Sequence, residues 1–357
     1  MNKHARRAAA ATTAVLTLAL LATACGGSGG SKDSKSVTLV THDSFAVSKS
    51  VLKDFEKQSG YKVHVLRGGD AGAAVNQAVL NKGNPQGDVF FGVDNTLLSR
   101  PLDKGVFAPY KAKGLDKVPA RLQADPDKHR VTPVDTGNVC VNYDRKWFAD
   151  KKLDPPRTMQ DLTKPRYKNL LVTEDAASSS PGLAFLLASV AESGENGWQG
   201  YWKKLRGNGV EVANSWEQAY YDRFTGSREG KGGDKPLVVS YASSPPAEVM
   251  GVKNPPAKAP TGVAKGTCFQ QTEYAGLLSG AKNTKGGKAL LDFLLSKRFQ
   301  EDLPLKMFVS PAREDARLPE LFTKYGETVD DPATVAPKKI AEHREQWIKT
   351  WTSLAVK

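Results

Sequence analysis

Strand-like and helix-like segments alternate from Val37 onward, and this alternation most restricts what the chain can fold into. "SVTLVTHDSF" is a β-rich run that ends at an Asp-Ser pair. "AVSKSVLKDFEKQSG" follows, with Val51, Leu52 and Phe55 at helical spacing and Gly60 closing it. The order repeats in "YKVHVLRGG" and "DAGAAVNQAVLNKG", then in "GDVFFGVD" and "NTLLSRPLDKGV". Alternation of this kind predicts an α/β chain whose parallel strands carry helices on both faces, with ligands bound beyond the carboxyl ends of the strands. The residues at those ends are Asp43 and Ser44, then Gly69 and Asp70, then Asp94 and Asn95. Each could simply cap the helix after it. Three acids on one rim, with no Lys or Arg at the loop tips, favour a cationic or donor-rich ligand.

The pattern has limits at both ends. Lys3, Arg6 and Arg7 precede the apolar run "AAAATTAVLTLALLATAC", which is too short for an ordinary membrane span and reads as an export signal over 1–24. Ala22, Thr23 and Ala24 before Cys25 resemble the lipobox of bacterial lipoproteins, so Cys25 is expected to carry lipid. Residues 25–36 have the Gly/Ser-rich composition of a tether. About 320 residues then remain, more than one core usually holds, which predicts two lobes. With 51 Lys and Arg against 38 Asp and Glu the chain has a net charge of +13. Those charges are scattered, which argues for surface solubility and against a nucleic-acid partner. Cys140 and Cys268 could pair after export or remain two separate buried thiols.

Further along, "RVTPVDTGNVCVNYDRKWF" places Asp135 between Pro133 and Gly137 at an expected crossing into a second lobe. Ser178, Ser179 and Ser180 precede a helix starting near Pro181, where hydroxyls and free N–H groups can hold an anion or carbonyl. "LVVSYASSPP" ends a strand at Tyr241, Ser243 and Ser244, and "GTCFQQTEYAGLLSGA" reads as the return crossing. The tail carries Ile340, Trp347, Ile348, Trp351 and Leu354 at the spacing of a docked helix. In "NSWEQAYYDRF", Trp216, Tyr220 and Phe224 fall on one face if 214–224 is a helix. A core stripe accounts for Phe224. It accounts less well for Trp216, whose place in the first turn at the ligand-facing edge suits stacking on a flat ring or a cation.

No Walker loop, HExxH or GxSxG is present, and His4, His42, His64, His129 and His343 have no metal-ligand spacing. A carboxylate-only hydrolase is the weaker alternative, because no activated nucleophile is evident.

The fragments "THDSFA", "GDVFFGVDNTLL", "PVDTGNVCVNYD", "SSSPGLAFLL", "SWEQAYYDRF", "VVSYASSPP" and "FQQTE" resemble, in order and approximate spacing, the thiamine-binding substrate-binding proteins of bacterial ABC importers. The resemblance spans about residues 37–320. It implies a two-lobed type II periplasmic-binding fold with mainly parallel sheets and a ligand cleft between lobes. The lobes are then expected at 37–136, 137–268 and a return over 269–357 that includes the C-terminal helix. It also implies thiamine or a thiamine phosphate as ligand, an ABC permease as partner, a monomer, no cofactor and no catalysis, while the lipobox leads one to expect a lipid anchor on the outer face of the cytoplasmic membrane. The family's ligand pattern falls on Asp43, Ser44, Asp70, Asp94, Asp135, Ser179, Ser180, Trp216, Tyr220, Tyr241, Ser243, Ser244 and Glu273. Two departures stand out. Val47, Ser48 and Lys49 replace an Asp-Trp and a Gly/Pro pair, and Phe308 of "KMFVSP" takes the place of a tryptophan. An iron-binding member of the same fold is the rival reading, since Tyr220 and Tyr221 could both serve Fe(III) only if their helix breaks.

Overall fold

The computed structural model describes residues 35–230 and 232–356, so the expected signal, Cys25 and nearly all of the tether lie outside the described residues. Among the described residues ten strands form one sheet: β1 (Ser36–Thr41), β2 (Lys62–Arg67), β3 (Val89–Asp94), β4 (Phe107–Ala108), β5 (Thr132–Asp144), β6 (Leu171–Glu174), β7 (Glu211–Ala213), β8 (Leu237–Tyr241), β9 (Thr261–Leu278) and β10 (Ser310–Pro311). The α-helices are α1 (Lys49–Ser59), α2 (Ala71–Leu80), α3 (Ser99–Asp103), α4 (Arg145–Asp150), α5 (Ser180–Ser193), α6 (Trp198–Gly207), α7 (Thr284–Leu294), α8 (Lys297–Gln300), α9 (Leu303–Met307), α10 (Glu320–Tyr325) and α11 (Pro337–Ala355).

The strand order is β2-β1-β3-β9-β5-β8-β6-β7. Its flanks are parallel, β1 with β2 and β3, and β6 with β7 and β8. These are the strand–helix–strand units that the alternation predicts. The centre is antiparallel, because β5 and β9 run side by side through the whole molecule from Thr132↔Ala275 to Asp144↔Thr261. Toward one end β9 pairs with β3, and toward the other β5 pairs with β8. Two long strands therefore pass from one half of the fold to the other. Their register shifts at Pro133/Asp135 and Val139/Val141 flank the crossing, where a bulge adds local twist.

One core lies within the first half, and a larger one extends from it (Val40, Phe90, Phe107) through the second. Val37, Phe55, Phe91, Leu291 and Phe299 are packed in the first. In the second, α5 is buried on all sides from Ser180 to Val190, which explains the unbroken apolar run after the serines. Trp202 meets Phe185 edge-on at 5.7 Å and Trp351 at 5.4 Å. The C-terminal tryptophans are thus packing groups. Their helix does not stay with the first half, however: α11 lies on α6, and also touches α3. The indole of Trp351 has its apolar partner in Trp202, so the tail joins the second core. Cys140 and Cys268, on adjacent β5 and β9, are bonded with a Cα–Cα distance of 4.2 Å.

Candidate functional site

A cavity of about 460 Å³ opens where the two halves meet. Its first wall comes from the loop after β1 (Asp43, Ser44) and the start of α2 (Asp70). Its second comes from Ser180, Trp216 and Tyr241, with Glu273 of β9 and Phe308 completing it. All eight belong to the set expected from sequence. Most converge because parallel strands end on the same side and the turns after them must satisfy free helix N–H groups; Glu273 comes instead from within antiparallel β9, and Phe308 from the turn after α9. Asp70 illustrates the double role: it caps α2 by accepting the Ala71 N–H at 2.6 Å, and its other oxygen accepts the Trp216 N–H at 3.0 Å. One carboxylate thereby ties the first half to the second.

Trp216 is 8 % exposed. Its ring stacks on Tyr220 at 5.0 Å and 19°, and its Nε1–H donates to Ser240 Oγ at 3.0 Å. Ser240 Oγ is in turn 2.9 Å from Ser244 Oγ. The expected helix over 214–224 is instead a single α-turn that widens into a π-turn over Gln218–Arg223. The i+4 partner Tyr220 then backs the indole, and Tyr221 reaches the cavity with its ring edge-on to Trp216 at 5.5 Å.

Six expected site residues stand behind the wall instead of on it. Asp94 is fully buried, and its Oδ1 accepts from Thr96 N at 2.9 Å, Thr96 Oγ1 at 2.6 Å and Leu97 N at 3.0 Å. Its Oδ2 accepts from Ser180 Oγ and from Gln271 Nε2, the latter at 2.8 Å. Asp94 therefore closes the turn at 95–98 instead of capping α3, whose N-cap is Leu98, and it positions Ser180. Tyr220 is also turned away from the cavity, its hydroxyl donating to Glu248 Oε1 at 2.7 Å. Ser243 donates to Phe308 O at 2.5 Å, holding the Phe308 turn, whose φ of 59° is left-handed. Ser244 accepts the Tyr241 N–H at 3.2 Å. Ser179 is buried at the N-cap of α5; its hydroxyl lies beside Asp70 without a hydrogen bond of ordinary geometry and still offsets part of that acid's burial. Asp135 lies opposite Glu273 in the β5–β9 register, and neither of its oxygens has a donor from an ordinary polar group. Burial, followed by repulsion from Asp135, pushes Glu273 well above the usual carboxylate range. A proton on Glu273 supplies Asp135 with its missing donor.

Several wall residues were not anticipated. His42 adjoins Asp43 and packs on Gly92, where a Cβ would lie 2.2 Å from the imidazole. Burial, then Arg67, lowers its pKa to about 4. The 3.7 Å contact between His42 Nε2 and Glu273 therefore joins neutral groups and is not an ion pair. Arg67, at the end of β2, corrects the expectation of a rim without cations. It donates to Asp43 O at 3.2 Å and Phe45 O at 2.9 Å, and Lys306 also lines the cavity. Glu217 and Glu229 add acid on the other side. Burial raises the pKa of Asp70 and of Glu217, and repulsion from Asp43 raises both further. The wall therefore carries mutually repelling carboxylates, which a cation would relieve. A purely sequential reading could locate Glu217 beside Trp216 but not its approach to Asp43. Among the described residues no group of three His, Cys, Asp or Glu is arranged to hold a metal ion, and no helix is long and apolar enough to cross a membrane.

A sheet crossed twice by long strands, with a polar cavity between its halves, defines a two-lobed solute-binding protein of the type II periplasmic-binding fold. Residues 84–324 match the model of the bacterial extracellular solute-binding protein family, and the chain belongs to that family. Among its relatives, the thiamine-binding periplasmic protein of Brucella suis biovar 1 (strain 1330) is 26 % identical, covering 88 % of this chain and 91 % of the relative. The protein of the same description from Salmonella typhimurium (strain LT2) is 28 % identical, over 88 % of this chain and 92 % of the relative. A solved periplasmic thiamin-binding protein superposes with a TM-score of 0.77 at 24 % identity, over 92 % of this chain and 98 % of its own.

Proposed function

We propose that this chain captures thiamine or a thiamine phosphate between its lobes and delivers it to an ABC permease, held at the outer face of the cytoplasmic membrane by lipid on Cys25. The observation that carries this reading is the meeting of Asp43, Asp70 and Glu217 with the indole of Trp216 around one cavity, from both of its walls. The thiazolium of thiamine bears a permanent positive charge, which would relieve the repulsion among those carboxylates. Its aminopyrimidine is a flat ring with donors and acceptors that suit Tyr241, Ser180 and the neutral Glu273. The relatives named thiamine-binding support the same ligand.

Nanomolar affinity requires about 12 kcal/mol, beyond any single stack or ion pair, so the ligand must be enclosed on several sides. The contacts that join the halves, Asp70 to Trp216 N–H and Ala73 N–H to Ser178 O at 3.2 Å, are ones that closure would make and opening would break. The same chemistry leaves no step for catalysis, and the ligand is returned unchanged. An iron site built on paired phenolates is disfavoured, because the Tyr220 hydroxyl is committed to Glu248 and burial holds Tyr221 protonated up to about 12.

Calorimetry on the full chain with thiamine, its mono- and diphosphate, and ferric citrate tests the ligand. Saturable heat is expected from one or more thiamine compounds. Absence of heat from all of them, or a red iron complex, would sink the assignment. Replacing Cys25 by alanine should release the chain from membranes; retention would remove the lipid anchor from the proposal.

A further inference from the structure

A second cavity, of about 400 Å³, shares no lining residue with the first. It lies among α2 (Asn76), Arg100 of α3, Ala177 in the loop before α5, and Arg344, Glu345 and Lys349 of α11. Arg344 is only 6 % exposed. A guanidinium taken out of water is strongly disfavoured unless it is paired. Among the described residues the hydrogen bond made by Arg344 is from Nη1 to Leu97 O at 3.0 Å, and no carboxylate stands within ion-pair distance of it. Arg100 adds a second positive charge, its Nη1 spent on Asn76 Oδ1 at 2.6 Å. Burial lowers the pKa of Arg344 most; Glu345, Asp94 and Asp103 partly offset this, and Arg100 lowers it further. The group stays protonated at any physiological pH, so its charge is under-compensated rather than lost.

We propose that this cavity is a second binding site, for a small soluble oxyanion of the phosphate or carboxylate class, gripped by Arg344 with Arg100 and Lys349 around it. Three cations face one acid, Glu345, and the planar guanidinium presents donors in the fork that matches an oxyanion. A soluble anion fits better than a lipid headgroup, because so deeply buried a guanidinium is out of reach of a group fixed in a flat bilayer. The site does not depend on the identity of the ligand in the main cavity.

The test is calorimetric titration of the full chain with inorganic phosphate and with pyrophosphate, with and without saturating thiamine, at low and high salt. Saturable binding that weakens with salt is expected in both conditions. It should weaken at least about tenfold in Arg100→Gln and in Lys349→Gln, and more in Arg344→Met. Because Arg344→Met also loses the bond to Leu97, the double variant Arg100→Gln/Lys349→Gln, at partly exposed and exposed positions, carries the test if that protein does not fold. No saturable heat, or heat undiminished in the double variant, overturns the site. Loss of binding in Arg67→Gln alone would move the anion to the main cavity and overturns it equally, as would adsorption to phosphatidylglycerol vesicles without any binding of soluble phosphate.

Discussion

Replacing Trp216 by alanine should separate the two roles of that ring. One face is occupied by Tyr220 and the N–H by Ser240, so only a small part of the indole remains to meet a ligand. The stability loss is therefore the larger effect. Truncating a buried indole costs about 3–5 kcal/mol. The lost Nε1–Ser240 bond adds about 1 kcal/mol, and the sum would lower Tm by roughly 8–12 °C at about 2 °C per kcal/mol for a chain this long. The affinity loss is smaller, about 1–2 kcal/mol for a cation beside a desolvated ring, or roughly 5- to 30-fold in Kd. Trp216→Phe keeps an aromatic face without the N–H, and should lose about 1 kcal/mol of stability with Kd within about threefold. Tyr220→Phe removes only the phenol that serves Glu248; it should be destabilising by about 1–3 kcal/mol and leave Kd unchanged. Scanning calorimetry and titration calorimetry on the same preparations read both quantities. A folded Trp216→Ala variant that binds thiamine as tightly as the parent, or a Tyr220→Phe variant that binds as poorly as Trp216→Ala, would refute the assignment of the indole to the ligand wall.

Three further perturbations test the closure, the acids and the cross-link. At Gly72 a Cβ would stand 2.7 Å from Ser178 O, a backbone atom of the other half, so Gly72→Ala should force the halves apart and weaken thiamine binding about tenfold with little change in Tm; unchanged affinity in titration calorimetry would show that this contact does not control closure. Asp135 has its pKa raised by burial from 3.8 to about 7 and Glu273 is raised as well; a carboxyl that holds its proton more tightly when folded lowers stability as pH rises through that window. The unliganded protein should thus lose stability from about pH 4 to about pH 7, and Glu273→Gln, with a permanent amide donor for Asp135, should flatten that slope; an equal slope in denaturant titrations would place the effect elsewhere. The Cys140–Cys268 bond closes a separation of 128 residues, and the Cys140→Ser/Cys268→Ser variant should lose about 2–4 kcal/mol in urea while keeping its thiamine Kd, since neither residue lines the cavity; a changed Kd would link the bond to the site.

Much of the site was legible because strand ends and helix starts concentrate both capping and ligand groups. Asp43, Asp70 and Trp216 each sit at such a boundary, and local pattern suffices to mark them. The same pattern cannot separate a cap from a ligand. Asp94 and Asp70 look alike in sequence, yet five donors enclose Asp94, whereas Asp70 keeps its edge on the cavity. Arg67 was missed, and Tyr221 was weighed only as an iron ligand, for a related reason. The first belongs to a strand whose polar end folds over the loop of its neighbour, and the second is turned inward by a π-turn that no spacing rule foretells.

By itself the sequence determined the α/β class, the order of elements, the apolar faces and the rim of acids, because each follows from periodicity or from the backbone needs of a nearby helix end. Tertiary structure alone decided which acids face a cavity and which face one another. It also decided that α11 leaves the first half for Trp202, and that the Arg344 guanidinium lines a cavity together with Arg100 and Lys349. Those outcomes depend on burial and on partners far apart along the chain, and no local pattern of residues records either.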